Sequence, residues 1–233
     1  MVFYMVEVPN SHQDFRYEKK FFTSSEFLNE IYLFLKTSPV GFQEIFSSRK
    51  VNSLYLDNVN HDSYLDSISG ISSRLKLRLR WYGNSTTVNH PTLEVKKKEG
   101  SVGSKYFYKV GAFDISKPLS RNYLRTILSD RDFNLNSPEL QSFLMPKLYC
   151  SYVRRYFLSN KNKLRITVDH KISYSMPYVG KAIINSKLIQ DPSTVLEVKY
   201  SSKKDTSEIK ELFNFPIYNT RFSKFTNGID QLI

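Results

Sequence analysis

The stretch RLKLRLRWYG at residues 74–83 alternates cationic and apolar residues with a period of two. That period belongs to a β-strand, whose successive side chains point to opposite faces. Arg74, Lys76, Arg78 and Arg80 therefore share one face, and Leu75, Leu77, Leu79 and Trp81 the other. One such strand can be the wet side of any antiparallel sheet, with its leucines on the core. Whether other strands carry charge in the same phase decides between that reading and a functional one.

They do. Arg16, Glu18 and Lys20 oppose Phe15, Tyr17 and Phe21, and Glu94, Lys96 and Lys98 oppose Leu93 and Val95. Tyr152, Arg154 and Tyr156 form a further row. Arg165, Thr167 and Asp169 oppose Leu164, Ile166 and Val168, and Glu197 and Lys199 oppose Leu196 and Val198. The tetrapeptide LEVK occurs at 93–96 and again at 196–199, in the same phase both times. A solvated face would mix its signs, because charges of one sign repel across a ladder. Here cations dominate nearly every row. A closed barrel resolves the tension: polar rows line a channel, apolar rows pack outward against helices, and no sheet edge remains. Positive charge crowded into a channel is costly unless a multivalent anion meets it.

The whole chain agrees: 34 Lys and Arg against 22 acidic residues give a net charge of +12, which points to an anionic partner. Segments 23–36 and 120–130 have helical patterning, the first with a capping box at Thr23 to Glu26, and 138–144 and 205–213 also read as helices. Strands with short helices between them imply an antiparallel α+β fold, without the βαβα rhythm of a doubly wound sheet. No linker or low-complexity tract divides the chain, so a single domain over residues 1–233 is expected. No apolar run nears the ~20 residues of a spanning helix, no secretory signal opens the chain, and one cysteine allows no intrachain disulfide. A soluble cytoplasmic protein is expected, with Cys150 as inert packing.

Several chemistries lack their motifs. GSVGSK at 100–105 does not have P-loop spacing, and neither a GxGxxG nor a GxSxG occurs. His12, His61, His90 and His170 are far apart, with no zinc-binding partner pattern. Asp57 has the place of a residue that ends a strand. Glu18 and Glu94 suit pairing with neighbouring cations, and Asp169 suits orienting Arg165 or capping a turn.

The segments RYEKKF (16–21), SLYLDN (53–58), RLKLRLRWYG (74–83), LEVKKK (93–98), SYVRRYF (151–157), RITVDHKI (165–172), VLEVKY (195–200) and RFSKF (221–225) resemble, in that order, the VTC polyphosphate polymerase domain. That domain is one of the triphosphate tunnel metalloenzymes. The resemblance implies an α+β fold built on a closed antiparallel eight-stranded barrel with short helices around it. It implies synthesis of inorganic polyphosphate from ATP with Mn2+ or Mg2+. By position, Lys20, Arg78, Arg80, Lys96, Lys105, Arg154 and Arg165 are similar to the cations that grip the triphosphate and the growing chain. Glu197 is similar to the metal-binding carboxylate, and Arg221 and Lys224 to a terminal basic pair. Arg16, Lys76 and Lys199, on the same rows, join them as substrate-binding candidates. Hydrolytic relatives favour E-x-E-x-K in the first strand, where this chain has Arg16-Tyr17-Glu18-Lys19-Lys20. A metal-dependent triphosphatase is the alternative. A non-catalytic polyphosphate or RNA binder is another, since KYFYKV (105–110) interleaves aromatics with lysines as base-stacking surfaces do. No nucleic-acid partner is expected on the main reading, and oligomeric state is not readable.

Overall fold

The computed structural model describes residues 17–100, 102–129, 142–161, 163–201, 218–219 and 222–233. The first strand, β1 (Tyr17–Ser24), leads through a 3-10 turn into α1 (Leu28–Thr37), whose Ile31 and Leu35 are buried. The cap sits one residue later than expected: the Ser24 hydroxyl accepts a hydrogen bond from the Glu26 N–H. The next strand, β2 (Phe42–Asp57), is twice the length its alternating part suggests. It ends at Asp57, whose carboxylate accepts from the N–H groups of Asn58, Ser63 and Tyr64 and so starts α2 (Asp62–Ile68). Asp57 is structural, as its position suggested.

After α2 come β3 (Arg74–Tyr82), β4 (Thr87–Val88), β5 (Thr92–Glu99), β6 (Val102–Lys109) and β7 (Phe113–Asp114). The helix α3 (Arg121–Leu128) is capped by Ser120, whose hydroxyl accepts from the Tyr123 N–H. The remaining elements are β8 (Met145–Ser159), β9 (Leu164–Ser175), β10 (Ile189–Asp191), β11 (Ser193–Tyr200), β12 (Tyr218–Asn219) and α4 (Lys224–Asp230). The expected helix at 205–213 and most of that at 138–144 lie outside the described residues.

These strands form a ten-stranded sheet in the order β12-β1-β11-β9-β8-β2-β3-β5-β6, with β10 on β9, and every ladder is antiparallel. A small second sheet joins β4 to β7. In a flat sheet, β1 and β5 would be about 29 Å apart, six strand spacings of ~4.8 Å. Yet the Lys20 charge on β1 helps depress the ammonium pKa values of Lys76 on β3 and Lys96 on β5. The sheet therefore curls towards its charged face and brings its two ends near each other.

It does not close. The expected eight-stranded closed barrel is corrected to a curled ten-stranded sheet, with no ladder between β6 and β1 among the described residues. The reason is visible at the edge of β1, where Phe21 and Phe22 pair with Asn219 and Tyr218 of β12 and so occupy the side that closure requires. The sidedness of the rows holds. Leu77, Leu79 and Leu93 pack outward with Leu124, Ile127 and Leu128 of α3, while Leu196, Val198, Ile166 and Val168 pack outward with Ile31 and Leu35 of α1.

Part of the concave face is apolar. There α4 lies against Tyr55, Leu148 and Tyr174 through Phe225 and Ile229. A methyl group on Gly228 would fall 2.6 Å from both the Leu148 and the Tyr174 side chain, so only glycine lets the helix sit this deep. Among the described residues, no helix is long and apolar enough to cross a membrane.

Candidate phosphate-binding channel

The alternation of β3, β5 and β6 puts Arg78, Arg80, Glu94 and Lys105 on the concave face, where Glu94 is the hub. Its carboxylate is only 4% exposed. One oxygen accepts from Arg78 Nε at 2.9 Å and Nη2 at 2.6 Å and lies 2.8 Å from Lys105 Nζ; the other is 3.1 Å from Arg80 Nη1. Burial opposes ionisation of Glu94, but the charges of Arg78, Arg80 and Lys105 overcome it and hold the carboxyl down to about 2. Two tyrosines complete the frame: Arg78 Nη1 donates to the Tyr55 hydroxyl at 3.3 Å and Arg80 Nη2 to the Tyr152 hydroxyl at 3.2 Å.

A second hub is Asp169 on β9, 1% exposed. Arg154 of β8 donates to it through Nε at 2.5 Å and Nη2 at 2.7 Å, and Lys224 of α4 through Nζ at 2.6 Å. Burial raises the Asp169 carboxyl, and the two cations more than reverse that, so it stays ionised. The expected partner was Arg165, four residues back on the same strand. The partners found are Arg154, directly across the β8–β9 ladder, and Lys224 at the start of α4.

Glu197 of β11 lies between the hubs and β1. Its oxygens are 2.8 Å from Lys199 Nζ and 4.0 Å from Arg154 Nη2, and Lys20 is its ladder partner. Burial again opposes ionisation, but the charges of Lys199, Arg154 and Lys20, in that order, overcome it and hold the carboxyl well below the usual carboxylate range. Lys199 also reaches Glu18, 3.5 Å away, and Glu18 meets Lys20 at 3.1 Å. Arg165 is placed beside Lys199 by the β9–β11 register. Lys76 points at α4, 3.5 Å from the Ser223 hydroxyl and 5.6 Å from the Phe225 ring centre. Lys96 sits opposite Lys105 and Lys76 in the β5 ladders.

Ten of the expected site cations thus share the concave face with Glu197: Lys20, Lys76, Arg78, Arg80, Lys96, Lys105, Arg154, Arg165, Lys199 and Lys224. Arg16 and Arg221 lie outside the described residues. Sequence reasoning did not identify Tyr55 and Tyr152 as arginine supports, and only the β2 and β8 registers opposite the cation rows could have shown it. The buried polar atoms on this face without a hydrogen-bond partner include Arg80 Nε and the Thr167 hydroxyl. A donor left over on an arginine already held by Glu94 and Tyr152 suits an external anion. By contrast, a cleft of about 540 Å³ lined by Tyr32, Glu44, Arg155 and His170 opens on the outer side of the sheet and shares no residue with the channel.

Of the carboxylates Glu94, Asp169 and Glu197 on this face, Glu197 keeps the most access, its side chain 15% exposed against 5% for Glu94 and 1% for Asp169, and a divalent cation would meet it beside the unpartnered Thr167 hydroxyl opposite it in the β9–β11 ladder. No group of three or more His, Cys, Asp or Glu side chains converges among the described residues. This donor set fits an ion that takes most of its ligands from substrate phosphates and water, as Mg2+ and Mn2+ commonly do.

The channel also makes anion binding proton-linked. Burial, with Arg74, Lys96 and Lys20 adding repulsion, lowers Lys76 to about 8, and burial with the Arg78 charge lowers Lys105 to about 8. A bound polyanion favours the charged ammonium and raises both values again. Binding is therefore expected to take up protons between about pH 8 and the ordinary lysine range near 10, and affinity for tripolyphosphate to fall as pH rises through 8. Calorimetric titration at pH 8.5 in buffers of different ionisation enthalpy measures the uptake. A heat independent of the buffer contradicts it.

The chain matches the family model described as VTC domain over residues 15–233. Among solved structures, it resembles a putative adenylyl cyclase from Hippeastrum, described as having a dominant triphosphatase activity. The TM-score is 0.54 at 13% identity, with 93% of this chain and 96% of that one covered. A protein from Pyrococcus horikoshii aligns at a TM-score of 0.48 and 14% identity, covering 92% of this chain and 99% of its own. The first likeness supports the fold. No curated protein matches the chain.

Proposed function

Because the chain belongs to the VTC domain family, matched over residues 15–233, we propose that it is a polyphosphate polymerase that transfers the γ-phosphate of ATP to a growing inorganic polyphosphate chain and releases ADP. The observation that carries this reading is the concave face, where carboxylates at 1% and 4% exposure hold arginines in fixed positions around an unpartnered donor. Guanidinium groups fixed before the substrate arrives lose little entropy on gripping phosphate.

Phosphoryl transfer asks mainly for positioning and charge neutralisation. In this reading Lys20, Arg78, Arg80, Lys96, Arg154 and Arg165 hold the triphosphate. Lys76, Lys105, Lys199 and Lys224, with Arg16 and Arg221, hold the acceptor chain. The terminal oxygen of the acceptor forms the new bond to the γ-phosphorus as the bond to the ADP oxygen breaks. No protein nucleophile is required, since the attacking oxygen is already anionic. Glu197 would hold the divalent ion, Mn2+ or Mg2+, which would supply neutralisation of phosphate charge.

Incubation with ATP and Mn2+, with separate assays of polymer, ADP and free phosphate, tests the proposal. Most of the transferred phosphate is expected in polymer, and Glu197→Gln is expected to lose that product and its metal dependence. ADP with an equal amount of free phosphate and no polymer, even with primer present, makes the protein a triphosphatase. No ADP with either metal makes it a binding protein.

A further inference from the structure

One rim of the channel is aromatic. The β3 row that carries Arg78 and Arg80 ends at Tyr82, and the β8 row that carries Arg154 continues to Tyr156. Between these strands β2 brings Phe46 opposite Tyr156 and Arg49 opposite Arg154. The Phe46 and Tyr156 rings meet edge to face at 5.7 Å and 89°, and the Arg49 guanidinium lies 4.9 Å from the Phe46 centre and 5.8 Å from that of Tyr156. Tyr82 is close enough to Tyr156 to influence its ionisation. Phe46 is 49% exposed and Tyr82 53%. The β2–β8 register shifts on both sides of Phe46, and such irregularities twist a strand and re-aim its side chains. At its other end the β3 row stops at Arg74 opposite Lys98, a pair of cations.

We propose that this rim is a stacking platform for the nucleobase of the nucleotide donor, an inference that rests on the functional reading above. Phe46 and Tyr82 each leave about half of their surface in water at the end of a cation row, and a base has a π-face to cover it while Arg49 can stack on the same base. From Arg154 to Tyr156, two residues along one face, is about 6.8 Å, the scale of a ribose between its phosphate and its base. The platform also gives the channel a direction, with the nucleoside at the aromatic rim and the chain of phosphates running inward. Every base has a π-face, so discrimination among nucleoside triphosphates is expected to be slight.

Tripolyphosphate has the phosphates and no base, and that separates this inference from the reading beneath it. Equilibrium binding of ATP and of tripolyphosphate is compared for the wild-type protein and Phe46→Ala. ATP affinity is expected to fall roughly ten-fold with tripolyphosphate affinity unchanged, which also certifies that the variant folds. Phe46→Trp is expected to keep ATP affinity, and its indole emission to be quenched by ATP and not by tripolyphosphate. Equal losses for both ligands, or no loss for either, overturn the platform while leaving the channel. Absence of tripolyphosphate binding in the wild-type protein removes the channel and the platform together.

Discussion

Alanine at position 78 is expected to lower kcat/KM for polyphosphate synthesis by two to three orders of magnitude. Removal of one partner from a desolvated charge pair costs about 2–5 kcal/mol, and each 1.4 kcal/mol is a factor of ten. Arg78 has more than one such partner. It holds Glu94 through two nitrogens and Tyr55 through a third, so its guanidinium is oriented before any phosphate arrives. Arg78→Lys keeps the charge and loses the fork, and an intermediate rate is expected. Steady-state kinetics with ATP and primer measure both. A wild-type rate in Arg78→Ala removes this residue from the site.

Asparagine at position 169 is expected to act on stability as much as on activity. The Asp169 carboxylate is the common acceptor for Arg154 and Lys224, and it ties the start of α4 to the sheet. Without it, two cations face each other in a site nearly closed to solvent, and loss of one partner from such a buried group costs about 3–5 kcal/mol. For a chain of this size that is roughly a 10 °C fall in Tm. Tripolyphosphate, a polyanion for the same cations, is expected to restore much of the loss. Thermal melts with and without tripolyphosphate measure it, and an unchanged Tm in the absence of ligand contradicts the anchoring role.

The two predictions show what the sequence can and cannot tell. Which face each strand turns inward was legible, because period two fixes sidedness locally: Arg78 and Glu94 are inside and Leu77 and Leu93 outside, as alternation required. Glu94 as a partner of nearby cations was legible for the same reason. The partner of Asp169 was not, because Arg154 and Lys224 reach it through a ladder register and a helix 55 residues away. Closure was not legible either, since β12, two residues long, takes the free edge of β1 and nothing in its pattern marks it as a strand. The first half of β2 escaped notice because, after the buried Phe42, QEIFSSRK is exposed on both faces and carries no alternation. That half bears Phe46 and Arg49, and the aromatic rim was therefore invisible to the pattern that exposed the cation rows.

The central claim is that the concave face of the sheet is a channel for a chain of phosphates. The most direct measurement is a crystal structure of the protein with tripolyphosphate. Phosphate oxygens are expected within hydrogen-bonding distance of Arg80 Nε and the Thr167 hydroxyl, both buried on that face without a protein partner. Tripolyphosphate bound only in the outer cleft beside Arg155 and His170, with Arg80 and Thr167 untouched, would contradict the account.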